Sequence, residues 1–176
     1  NLQPLWGLLV RTDIVKVFHA AHQDLEIFLK EIGTLPVPLF DSQIAAMVLG
    51  HGDQIGYDRL VRAMLKIDID KTSRFTDWSR RPLSDRQISY ALDDVIHLAA
   101  MYPMLSTELD QKGRVEWLAD ENAKLADPAT YKTSPDDAWK RIKVRSMRPA
   151  PFRRMMHLAA WRETEAKKRN LPRNRV

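Results

Sequence analysis

Cysteine is absent from all 176 residues, which excludes disulfides, zinc–thiolate centres and thiol nucleophiles. Also absent is any apolar run approaching the roughly 18 to 20 residues that a membrane helix needs. The first residues lack the basic-then-apolar pattern of a signal peptide. These absences are compatible with a reducing compartment and make the cytoplasm the expected location. The remaining composition, 44% hydrophobic and 29% charged, is ordinary for a globular chain. Its length suits one full domain, or one domain with a small appendage. There is no internal repeat and no low-complexity tract.

What stands out is how the charge is spread. Residues 134–176 hold 13 Lys and Arg against 4 Asp and Glu, whereas the first 133 residues hold 15 against 19. A mildly acidic body with a strongly basic tail suggests a polyanionic partner, with the acids grouped where a cation would sit. A merely solvated basic face is the plainer alternative.

Periodicity divides the chain into alternating elements. Residues 4–10 read as a short helix with Pro4 in its first turn. Val15 to His19 alternates and is rich in β-formers, so it reads as a strand. Gln23 to Ile32 is a helix stopped by Gly33, and Pro36 to Asp41 is a second extended segment whose prolines favour an edge or a strand entry. Asp41 or Ser42 caps a helix through Leu49, and Tyr57 to Lys66 is helical again. Residues 67–83 form a loop long enough to suggest function. Ser84 and Gln87 make a capping box for a long amphipathic helix, slowed or kinked at Pro103, and Val115 to Leu125 is the next. Asp127 to Pro135 reads as a linker. Ala138 to Val144 is expected to be a short helix ended by Pro149 and Pro151, then Phe152 to Arg169 a longer one. That last helix should turn Met155, Met156, Leu158, Ala159 and Trp161 inward, with Trp139 also in the core.

The chemistry is concentrated on the long helix. Residues four apart share a helix face, so the Tyr90 hydroxyl and the Asp94 carboxylate project side by side. They offer a hard anionic ligand for a divalent cation beside a phenol that can orient water. Asp24 begins the helix after the first strand, the place where open α/β sheets put their sites. Asp41 ends the second strand. Two-metal phosphoryl transfer uses about four carboxylates around paired Mg²⁺ or Mn²⁺ ions roughly 4 Å apart.

Four segments of this sequence together resemble the ribonuclease D family of DEDD 3′-to-5′ exonucleases. They are His19-Ala-Ala-His-Gln-Asp-Leu-Glu-Ile-Phe-Leu29, Pro38-Leu-Phe-Asp-Ser-Gln-Ile-Ala45, Thr76-Asp-Trp-Ser-Arg-Arg-Pro-Leu-Ser84 and Gln87-Ile-Ser-Tyr-Ala-Leu-Asp-Asp-Val-Ile-His-Leu98. Ala138-Trp-Lys-Arg-Ile-Lys143 and the run Leu158 to Asn174 resemble the start of the helical HRDC domain that follows the nuclease in this family. The resemblance implies an α/β, ribonuclease H-like exonuclease fold over residues 1–127, a linker over 128–135 and a partial all-α HRDC domain over 136–176. It implies that Asp24 and Asp94 ligate two divalent ions, Mg²⁺ or Mn²⁺. Tyr90 would mark the tyrosine subclass, in which the hydroxyl positions the attacking water. His97 is given no catalytic role, and Asp41 is expected to be structural. The implied activity is hydrolytic 3′-to-5′ trimming of structured-RNA ends, tRNA precursors above all, with release of nucleoside 5′-monophosphates.

The sequence departs from the family at its opening motif. The Asp-x-Glu on a first strand, which holds both ions, is missing: Asp24-Leu-Glu26 belongs to the second motif and lies on a helix. Three opening strands are missing with it, and residues 134–176 are too few for a whole HRDC domain. The expectation is therefore an internal fragment that needs its amino-terminal segment for stability and activity, because two of four carboxylates cannot hold two ions that each want about six oxygens. Lys71 and Arg81, in or beside the long loop, are candidate phosphate contacts. Trp78 is expected to pack rather than stack on a base. Lys140, Arg141, Lys143, Arg153, Arg154, Lys167, Lys168 and Arg169 would add salt-sensitive, non-specific RNA affinity. Two other readings stand beside the enzyme: a catalytically inactive RNA-binding module with the same fold, and a DNA-directed proofreading relative. Tyr90 and the HRDC-like tail weigh against the last.

Overall fold

The computed structural model describes residues 2–131, 134–143, 146, 148–169, 171 and 173–176. The chain forms two compact units, residues 1–128 and 129–176.

In the first unit, α1 (Gln3–Leu9) precedes β1 (Lys16–Phe18), α2 (His22–Ile32) and β2 (Leu39–Asp41). The two strands pair in parallel, with Lys16 opposite Leu39, Val17 opposite Phe40 and Phe18 opposite Asp41. A parallel pair needs a crossover, and α2 supplies it. This helix ends at Gly33, whose φ of 74° is the left-handed turn that glycine takes most easily. α3 (Ser42–Leu49), α4 (Tyr57–Leu65), α5 (Asp85–Gln111) and α6 (Val115–Leu125) follow.

Phe40, Ala45, Ala46, Leu49, Leu60, Val61, Met101, Leu105, Leu109 and Leu118 make the core. It joins β2, α3 and α4 to α6 and to the carboxyl half of α5. Leu60, Met101 and Leu105 are wholly enclosed.

The capping box that starts α5 is present, with Ser84 Oγ accepting from Gln87 N and Gln87 Oε1 accepting from Ser84 N at 3.0 Å. Gln87 also ties the preceding loop down, donating to Thr76 Oγ1 and to the Asp77 carbonyl, each at 3.1 Å. α5 does not end at Pro103 but runs on to Gln111. The core contacts of Met101, Leu105 and Leu109 carry it past the missing N–H. Its amino-terminal half is different. Ile88, Leu92, Val95 and Ile96 are 44%, 53%, 63% and 57% exposed, so an apolar stripe faces outward.

A 3-10 turn at Pro128–Tyr131 spans the boundary between the units, within the stretch expected to be a linker. The short α-helix expected at residues 138–144 is instead a 3-10 helix, Pro135–Arg141, opened by Ser134, whose Oγ accepts from Asp136 N; Val144 lies outside the described residues. α7 (Pro149–Arg169) starts three residues earlier than its pattern suggested, because prolines in a first turn lose no needed donor. Its inward stripe is only partly the expected one. Ala159 is buried and Met155 and Met156 are half-buried, but Leu158 and Trp161 are 64% and 54% exposed, and Glu163 and Ala166 are buried instead. Small side chains let α7 approach the 3-10 helix closely, and Glu163 is accommodated by a two-pronged ion pair with Arg173. Trp139 packs edge-on against Phe152 with centroids 5.0 Å apart. Among the described residues, no helix is long and apolar enough to cross a membrane.

Candidate active site

A cleft of about 490 Å³ opens between the end of β1, the start of α4, the 67–83 loop and the exposed half of α5. Tyr90 and Asp94 line it from α5, Phe18 and His19 from the end of β1, Tyr57 and Asp58 from α4, and Lys71 and Arg74 from the loop. One helical turn separates Tyr90 from Asp94, so both face the same space. Burial raises the Asp94 pKa above the ordinary carboxylate value, the adjacent Asp93 charge adds to this, and His97 opposes it. Burial likewise raises Tyr90, with the Asp94 charge second, so its hydroxyl is held in the protonated form. Trp78 packs on the Tyr90 ring at 5.9 Å, as a packing anchor would.

The wall opposite Asp94 is fixed by a run of contacts. His19 shares hydrogen bonds with Ser42 Oγ at 2.9 Å and with the Ile55 carbonyl at 3.1 Å. Its ring meets Tyr57 edge-on at 5.3 Å. The Tyr57 hydroxyl donates to the Asp94 carbonyl at 2.6 Å and lies 3.1 Å from that of Asp93.

Asp24 stands in the first turn of α2. It is exposed, yet the protein packed around its carboxyl raises the pKa, and the Asp41 charge adds to the shift. The turn before α2 is held by Asp41, which is 1% exposed. Asp41 Oδ1 accepts from Ala20 N at 3.1 Å and Gln43 N at 2.8 Å, and Oδ2 accepts from Ala21 N at 2.8 Å. A fourth bond, from Ile44 N at 3.3 Å, completes the cap of α3. Ala20 has a φ of 58°, a conformation that costs a residue with a Cβ about 1–2 kcal/mol. Asp41 is thus a structural acid, binding the Asp24 turn to β2 and α3.

Of the residues singled out from sequence, Tyr90, Asp94 and Lys71 share the cleft. Asp24 and Arg81 do not line it. Arg81 folds back on its own loop, donating to the carbonyls of Trp78 and Arg80, each at 2.9 Å. Lys71 is paired with Asp58 at 2.6 Å, and this bond holds the Asp58 carboxyl below the ordinary range. The sequence reasoning missed Arg74, His19 and Tyr57.

Asp24 and Asp94 are hard oxygen donors of the kind that Mg²⁺ and Mn²⁺ take. Burial raises both carboxyls, and a bound cation would favour their charged forms. Among the described residues, however, no three His, Asp or Glu side chains come together in a metal-binding group. Asp94, in the cleft, has the donor chemistry for such an ion only within a larger donor set, and Asp24 lies outside the cleft lining.

A mixed helix–strand domain with Tyr90 and Asp94 in one cleft is the arrangement that the family resemblance implied. Residues 1–110 match the family model described as 3′-5′ exonuclease, and the chain belongs to that family. Within it, the chain is similar to proteins named ribonuclease D. The one from Jannaschia sp. (strain CCS1) is 53% identical over 176 residues, which is 100% of this chain and 46% of the relative. The crystal structure of Escherichia coli RNase D, an exoribonuclease involved in structured RNA processing, superposes with a TM-score of 0.82 at 32% identity, over 99% of this chain and 47% of that one. Brucella melitensis NrnC with bound Mg²⁺ superposes with a TM-score of 0.64 at 26% identity, over 82% and 69%. The chain therefore spans about half the length of the ribonuclease D relatives it matches, and it has the α/β exonuclease fold that the sequence led us to expect.

Proposed function

We propose that this chain is the central part of a 3′-to-5′ exoribonuclease that trims the ends of structured RNAs, tRNA precursors among them, by hydrolysis to nucleoside 5′-monophosphates in the cytoplasm. The observation that carries the reading is the cleft in which Tyr90 and Asp94 face Lys71 and Arg74. Asp94 and Asp24 would hold two divalent ions, Mg²⁺ or Mn²⁺. Such ions, when bound, supply Lewis acidity that makes water a stronger acid and offsets charge on the phosphate. The protonated Tyr90 hydroxyl orients the attacking water. Lys71 and Arg74 neutralise the backbone phosphates of the terminal nucleotides, and Arg81 contacts the strand further out.

Further acids complete the donor set. The outward apolar stripe of α5 and the two-stranded sheet support an amino-terminal segment of the same protein, bearing an Asp-x-Glu, as their source. The basic second unit, read as the start of an HRDC domain over residues 136–176, adds salt-dependent affinity for RNA.

The test is Asp94→Asn in the full-length protein, with 5′-labelled RNA and Mn²⁺ or Mg²⁺. Hydrolysis should fall by orders of magnitude while RNA affinity barely moves. An unchanged rate removes Asp94 from the site. RNA binding without hydrolysis by the parent protein leaves the inactive binding module instead, and a preference for DNA ends identifies a proofreading relative.

A further inference from the structure

We infer that Tyr57 is a positioning residue for this reaction, anchoring the middle of α5 so that Asp94 stands at a fixed height against β1. The inference rests on the reading of Asp94 given above and extends it to a residue outside every motif. The buried residues of α5 are Gln87 at one end and Met101, Leu105 and Leu109 at the other. Between them, the segment carrying both Tyr90 and Asp94 has no buried side chain. Core packing is strongest at the ends of this stretch; between them Leu98 packs only partly against the core, and Ile88, Leu92, Val95 and Ile96 face outward.

Among the described residues, the hydrogen bonds that reach Ile88 to Ala100 from another element come from the Tyr57 hydroxyl, at Asp94 O and Asp93 O. A helical carbonyl already accepts from the N–H four residues on and has a second lone pair to give. The Tyr57 hydroxyl also meets the Leu98 N–H, so the tether engages one turn of α5 on both its carbonyl and its amide side. Its other end is firm. Tyr57 is the first residue of α4, and its ring abuts His19, which Ser42 and Ile55 clamp. Ser42 lies next to Asp41, the acid that holds the turn leading to Asp24. One continuous set of contacts thus connects the Asp24 turn with the Asp94 carbonyl.

The experiment is Tyr57→Phe in the full-length protein, which removes the hydroxyl and keeps the ring. The kcat on RNA should fall about tenfold, the effect of one ordinary hydrogen bond, with KM unchanged. Amide hydrogen exchange should rise about as much across Asp93 to His97 and stay at the parent level in α3 and α6. A kcat within twofold of the parent overturns the inference, as does exchange that rises throughout the domain, which would mark a general stabilising role. If the parent protein hydrolyses no RNA, the functional reading fails instead. The exchange pattern then decides the tether alone, unchanged protection at Asp93 to His97 disproving it.

Discussion

Asp41 is where the structure makes its sharpest energetic demand. Its carboxylate is 1% exposed and accepts four backbone N–H bonds, two that cap α3 and two that hold the turn into α2. Asp41→Asn keeps an oxygen for Ala20, Gln43 and Ile44 but turns an NH₂ group toward the Ala21 N–H. One buried donor then faces another, a loss of about 1–3 kcal/mol, and the remaining bonds lose their charge assistance, so the total should be about 3 kcal/mol. Asp41→Ser restores the cap, worth about 1 kcal/mol, but is too short to span to Ala21, so it should be less harmful than Asp41→Ala, at about 4 kcal/mol. Domain stabilities are about 5–15 kcal/mol, so these are large fractions. In urea unfolding of the full-length protein followed by circular dichroism, a slope of about 2 kcal/mol per M turns the Asn loss into a midpoint about 1.5 M lower. A midpoint within about 0.3 M of the parent, or a serine variant as unstable as the alanine one, would refute the assignment of Asp41 as the residue joining the two turns.

Burial shifts the Asp24 and Asp94 carboxyls above the ordinary range, so in the metal-free full-length protein a carboxyl-carbon NMR titration should place both above the value of about 3.9 for a free aspartate; midpoints at or below that value contradict the burial. The same shift has a stability sign. A raised native pKa means the folded state binds the proton more tightly, so stability is lost as pH rises from the ordinary carboxylate range through the raised value. With a chelator present at neutral pH, Asp94→Asn should therefore melt at or above the parent temperature, and the gap should close as pH falls; a lower melting temperature at neutral pH would reverse the argument. Leu105→Ala, in the wholly enclosed core of α5, should cost about 2–5 kcal/mol in urea unfolding of the full-length protein, and a loss under about 1 kcal/mol would contradict its place in the core.

Local signals in this sequence translated directly into structure. Gly33 stops α2, Asp41 caps α3, and the Ser84 and Gln87 box opens α5, because each acts within a few residues of itself. Tyr90 and Asp94 were legible for the same reason, being one turn apart on one helix. The Tyr57 tether spans 37 residues, and the placing of Arg74 depends on how an irregular loop folds, so no spacing rule announces either. On α7 the inward face was partly legible: Ala159 is buried as expected, but the larger apolar Leu158 and Trp161 are exposed, and a charge at Glu163 concealed the inward turn it shares with Ala166 until Arg173 supplied the partner.

The central claim is that the carboxylates of Asp24 and Asp94 serve one divalent-ion centre beside Tyr90. Anomalous diffraction from crystals of the full-length protein grown with Mn²⁺ tests this most directly. The account predicts manganese peaks at about 2.0–2.6 Å from an Asp94 oxygen, with Asp24 joined to the same centre directly or through one water. Manganese bound elsewhere, or Asp24 and Asp94 on opposite sides of the domain with no ion between them, would contradict it.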